Sequence, residues 1–136
     1  MEELLLAVNG TLMRGLELEP NMLAAGAHFV KEARTAACYR LWSIHDSNPA
    51  MLRVDPADDR AVKVDVELWS VPYDGLAKIL LKEPQGLSVG RVLLEDGSAV
   101  LGVIAEPELL KGMKEISDYK GWRNYTASLR TPHCTQ

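Results

Sequence analysis

The sequence predicts an α+β fold in a single domain. Strand-like apolar runs outnumber helical ones, an Asp-Gly hairpin signal sits late in the chain, and no repeating strand–helix–strand pattern appears. The run LLLAV at 4–8 is short, apolar and closed by Gly10, so it reads as a buried strand. PNMLAA at 20–25 forms a short helical turn stopped by Gly26. Strands follow at 27–32 and 38–44; in the second, Tyr39, Leu41 and Ser43 alternate with Arg40, Trp42 and Ile44. Asn48-Pro49 is a turn signal, and PADD at 56–59 is a surface loop. AVKVDVELWSV at 61–71 is the clearest strand: Val62, Val64, Val66 and Leu68 point one way, Lys63, Asp65 and Glu67 the other. Pro72-Tyr73-Asp74 opens a helix to about 81, and Pro84 stops it near Lys82. Residues 87–106 make a hairpin around Glu95-Asp96-Gly97-Ser98. A short helix is expected over 107–113, and Ser117-Asp118 is expected to cap a last one near 121–129.

The totals bound the function. The chain has 136 residues, 47% of them apolar and 25% charged, values ordinary for a globular domain. Residues 1–130 are expected to form that domain, with 131–136 as a flexible tail. A net charge of −4 argues against nucleic acid, which needs a basic face. No run of about 18 apolar residues exists, so no membrane partner is expected, and the acidic start does not read as a signal peptide. Cys38 and Cys134 are far apart and lack metal-ligand spacing, so no metal is expected, and a reduced cytoplasmic pair is the simpler reading. His28, His45 and His133 are scattered, with no nucleophile–base arrangement. No phosphate-binding motif appears, and no cofactor is implied.

Two places can carry chemistry. In LAVNGTLMRG at 6–15, a strand runs into the small residues Asn9-Gly10-Thr11. That is either a plain turn or a loop whose successive N–H groups hold an anion or oxyanion. Glu83, just past a helix and before Pro84, is either a solvated acid at a helix end or a half-buried carboxyl able to move a proton. Arg14, Arg40 and Arg53 read either as surface ion pairs or as carboxylate binders, and the three tryptophans as core or cleft wall.

VNGTLMRG resembles the N-terminal YGTLM loop of the γ-glutamylcyclotransferase-like superfamily, and the similarity continues through LAAGAHFVKEARTAACYRLWSI and NPAMLRV. The stretch EPQGLSVGRVLLEDGSAVLGVIAEPELLKGMKEISDYKGWRNY is similar to the C-terminal domain of allophanate hydrolase, a member of that superfamily. The resemblance spans about 4–126. It implies a small mixed β-barrel with a few short helices packed outside and one open cavity. It implies Glu83 as general acid/base, and the loop Asn9, Gly10, Thr11 and Leu12 as substrate holder; if the chain is an enzyme, Tyr39, Arg40 and Trp122 are, by residue type, candidates for the cavity wall. The substrate implied is a small amide, carbamate or γ-glutamyl nitrogen compound. The sequence departs from the pattern at three places. Asn9 stands where cyclotransferases carry a tyrosine, Ser88–Arg91 lacks their second tyrosine, and Leu12 stands where allophanate hydrolases carry a histidine. The resemblance therefore also admits a non-catalytic binding or assembly module that pairs with a separate amidase subunit or with itself as a homodimer.

Overall fold

A computed structural model describes residues 2–130; the tail expectation, Cys134 and His133 lie outside the described residues. The chain runs β1 (Glu3–Val8), α1 (Glu19–Ala24), β2 (His28–Arg34), β3 (Tyr39–Ile44), β4 (Asn48–Arg53), β5 (Asp65–Pro72), α2 (Tyr73–Leu81), β6 (Leu87–Leu93), β7 (Ala99–Ala105), β8 (Lys114–Glu115) and α3 (Trp122–Arg130), with 3-10 turns at Pro107–Leu110 and Ser117–Tyr119. Five strands form one mixed sheet in the order β2-β5-β1-β7-β6, and three form a second in the order β4-β3-β8. The α+β class holds, but the sheets do not close into a complete barrel: the outer strands β2 and β6 meet only where they end, at the isolated Thr35–Leu94 bridge. Among the described residues no helix is long and apolar enough to cross a membrane.

The strand chemistry explains the order. β1 is apolar throughout its second half and sits centrally, antiparallel to β5 and parallel to β7. Its Ala7 faces Gly102 of β7. A side chain at 102 would lie 2.4 Å from Val92 and 3.2 Å from Ala7, so only glycine lets β1, β6 and β7 meet there. The two sheets come together where β4 approaches β7. Leu6, Val8, Tyr39, Leu41, Met51, Leu68 and Trp69 belong to one continuous core, all essentially sealed from water. Phe29 meets Trp69 edge-on at 6.0 Å.

Three local expectations need correction. Asn48-Pro49 does not make a turn. It begins β4, and the proline is tolerated because β4 is an edge strand. The reversal lies just before it, where His45 and Asp46 both take positive φ, 54° and 57°, as a tight hairpin with a right-handed twist requires. Ser117-Asp118 does not cap α3: it forms its own 3-10 turn, where the Ser117 hydroxyl donates to Glu115 and accepts the Leu41 N–H. The strand at 61–71 is shorter than its alternation suggests, since β5 starts at Asp65 and Val62 makes only an isolated bridge to Tyr39.

Candidate functional site

β1 delivers the chain to the seam between the sheets, and Asn9–Leu12 turn there. The Met13 N–H donates to the Gly10 carbonyl at 3.0 Å and the Leu18 N–H to the Thr11 carbonyl at 2.8 Å. The Gly10 and Thr11 carbonyls are thereby occupied, while the N–H groups of Gly10, Thr11 and Leu12 donate to no protein acceptor among the described residues. Gly10 lies flat against Pro49: a Cβ there would stand 2.5 Å from the proline Cδ. We expect Gly10→Ala to push the loop off β4 at a cost of about 1–3 kcal/mol, read as a drop in the urea midpoint. An unchanged midpoint would show that this contact is slack.

From the other side comes Glu83. α2 starts after Pro72, whose extended backbone cannot continue a helix backward, and ends at Lys82, because Pro84 would clash with a further turn. The Glu83 N–H closes the last turn onto the Leu80 carbonyl at 3.2 Å. Its half-buried side chain shares a small pocket with Val8, Asn9, Gly10, Thr11, Leu12, Asn48, Pro49, Leu87 and Val103. The internal space is about 20 Å3, enough for one or two waters. One carboxyl oxygen, Oε1, is sealed from solvent and has no hydrogen-bond partner. Burial pushes the Glu83 carboxyl up to about 7. Such a group gives and takes a proton at neutral pH with little driving force either way.

The structure thus gathers Asn9, Gly10, Thr11, Leu12 and Glu83 around one cavity. It does not bring Tyr39, Arg40 or Trp122 to it. Tyr39 is fully buried, and its hydroxyl accepts the Leu93 N–H at 3.0 Å, so it ties the two sheets together. Arg40 is spent on a two-pronged pair with Glu115 (2.8 and 2.6 Å) and on Asp58 (3.4 Å), lying over the Trp42 ring. Trp122 packs against Tyr125.

A second, larger depression of about 400 Å3 lies between β2, β5 and the start of α3 and includes Trp122. Its floor holds a residue that the alternation of β5 placed outside: Glu67, 2% exposed. Burial alone would push its carboxyl up. The Arg14 N–H (2.9 Å), Trp69 Nε1 (3.1 Å), Arg123 (3.0 Å) and Arg14 Nε (3.2 Å) outweigh that and hold it below the usual carboxylate range. All of its acceptor capacity is filled, so this cluster fastens the 9–18 loop and α3 to the sheet rather than waiting for a proton. The overlooked signal was Trp69, which shares Glu67's face of the strand and marks that face as covered. Among the described residues no group of three or more His, Cys, Asp or Glu is placed to hold a metal ion.

Comparison with known proteins agrees with this architecture. A uropathogenic E. coli-specific protein of known crystal structure is 54% identical and superposes with a TM-score of 0.90, over 93% of this chain and 98% of that one. Allophanate hydrolase of Kluyveromyces lactis is 26% identical, TM-score 0.88, over 96% of this chain but 22% of its own. Urea amidolyase of Saccharomyces cerevisiae is 28% identical over 92% of this chain, which spans only 7% of that protein's length. Relatives therefore carry this domain inside much larger chains. An AIG2-like protein of Mus musculus, 20% identical with a TM-score of 0.62 over both full lengths, shares the fold alone. The family model for the allophanate hydrolase C-terminal domain matches residues 4–127, and the chain belongs to that family.

Proposed function

We propose that the Glu83 pocket is a small-molecule site acting on an amide, carbamate or γ-glutamyl nitrogen compound, with Glu83 as the proton shuttle. The observation that supports this most is the sealed, unpartnered Glu83 oxygen in the same pocket as the unpaired N–H groups of Gly10, Thr11 and Leu12. A native protein rarely leaves a buried acceptor unmade unless it has a use. In the γ-glutamyl case, the substrate's α-amine attacks its γ-carbonyl carbon. The Glu83 carboxylate takes the amine proton, and the loop N–H groups stabilise the oxyanion. The carbon–nitrogen bond then breaks, and the Glu83 acid returns the proton to the leaving nitrogen. The small cavity implies that the loop yields when substrate enters.

A thermal-shift panel of γ-glutamyl amines, 5-oxoproline, allophanate, biuret and simple dicarboxylates tests the reading. A ligand present at about 100 times its dissociation constant adds roughly 2.7 kcal/mol, an easily seen rise in Tm. A panel with no shift at all contradicts it. A second reading, a module that docks on an amidase subunit, is favoured by one feature. Leu23 and Leu81 stand exposed beside a mostly apolar groove between α1 and α2, lined by Ala24, Ala25, Lys78 and Lys82.

A further inference from the structure

We infer that the Glu83 pocket selects an uncharged primary-amide or ureido head group over a carboxylate, and that Asn9 sets this choice. The inference rests on the reading of this pocket as a ligand site and narrows its substrate class. Asn9 is buried at the end of β1, and its Nδ2 donates to the Val103 carbonyl at 3.3 Å and to the Met51 sulfur at 3.6 Å. Turning the amide over would set its oxygen against the Val103 carbonyl, so these bonds fix its orientation. What remains is Oδ1, an acceptor with no donor among the described residues. It is not sealed as Glu83 Oε1 is. Asn48, also buried and lining the pocket, spends its Nδ2 on the Pro49 carbonyl at 3.4 Å and likewise keeps its oxygen.

The pocket therefore offers acceptors from Asn9, Asn48 and Glu83, and donors from the loop N–H groups. Among the described residues, no Lys, Arg or His lines it. A primary amide carries two N–H donors and one carbonyl, and both sets are satisfied. A carboxylate carries acceptors only, so it would meet Asn9 Oδ1 and Glu83 with no cation to offset them. A site built to pair with a ligand N–H rejects an analogue of the same shape that lacks it. With the loop yielding as a ligand enters, the cavity takes the head group and leaves the body outside.

The test compares acetamide with acetate, which match in size, by amide NMR titration of the full 15N-labelled chain at pH 7.5, in wild type and Glu83→Gln. Acetamide should shift the resonances of residues 9–12 and bind at least about tenfold more tightly than acetate in both proteins. The Gln variant removes the charge at 83, and the N–H donors it brings favour acetate, so a preference for acetamide that survives in it rests on the Asn9 acceptor. Asn9→Leu, if its spectrum is that of the folded protein, should abolish the preference; if it does not fold, the first two proteins decide. Acetate binding Glu83→Gln as tightly as acetamide, or neither ligand moving the loop, overturns the inference. Normal turnover by Glu83→Gln would instead sink the proton-shuttle reading and leave the binding preference standing.

Discussion

Glu83→Gln should lose turnover of any substrate found for the pocket by about 100-fold or more, while its circular dichroism stays that of the wild type. The glutamine keeps the shape and fills the same space, but it carries no proton to exchange. Its stability should also differ with pH in a definite direction. In the unfolded chain the Glu83 carboxyl ionises near its ordinary 4.5; in the folded protein it holds its proton up to about 7. The raised folded value means that Glu83 contributes stability that is fully present below about pH 4.5 and is lost as pH rises through about 7. Relative to the Gln variant, which does not titrate, the wild type should lose on the order of 2 kcal/mol across that window, the partial exposure of the carboxyl keeping the loss below the full shift. Urea midpoints of both proteins from pH 4 to 8 measure it. Parallel curves would mean that Glu83 ionises freely in the folded state.

Glu67→Gln should be the more damaging change to the fold. One carboxylate accepts from the Arg14 N–H, Arg14 Nε, Arg123 and Trp69 Nε1. A glutamine has one acceptor oxygen, and its own N–H groups would face two of those donors. Breaking a buried ion pair from one side costs about 3–5 kcal/mol. Arg14 and Arg123 keep part of their surface in water, which lowers the expected loss to about 2–3 kcal/mol. Because Glu67's folded value is lowered, its contribution is present above the unfolded carboxylate range and fades as pH falls through the folded value. The gap between wild type and Glu67→Gln should therefore shrink in acid. A loss under about 0.5 kcal/mol at pH 7 would show that the cluster is dispensable.

The parts of the fold carried by local chemistry could be read from the sequence. Gly10 ends β1, Pro84 ends α2, and Asp96-Gly97 turns the β6–β7 hairpin, each by a constraint within a few residues. What could not be read depends on elements distant in sequence. Alternation in β5 assumes one wet face, but α3 and the 9–18 loop cover that face and bury Glu67. Pro49 reads as a turn until its place on an edge strand is known. At the site, Glu83 and the Asn9–Leu12 loop could be named from a family resemblance, whereas Asn48 and Val103 join them only through the meeting of the two sheets. Tyr39, Arg40 and Trp122 were drawn toward the site by residue type, and packing sends each elsewhere.

The central claim is that Glu83 sits in the folded protein as a carboxyl poised near neutrality beside the Asn9–Leu12 loop. A 13C NMR titration of the Glu83 side-chain carboxyl, assigned by comparison with Glu83→Gln, measures this most directly. The account predicts a midpoint of about 7, with the loop amide resonances moving at the same pH. A midpoint at the ordinary 4.5 would place Glu83 in water and remove the basis for a proton-handling site.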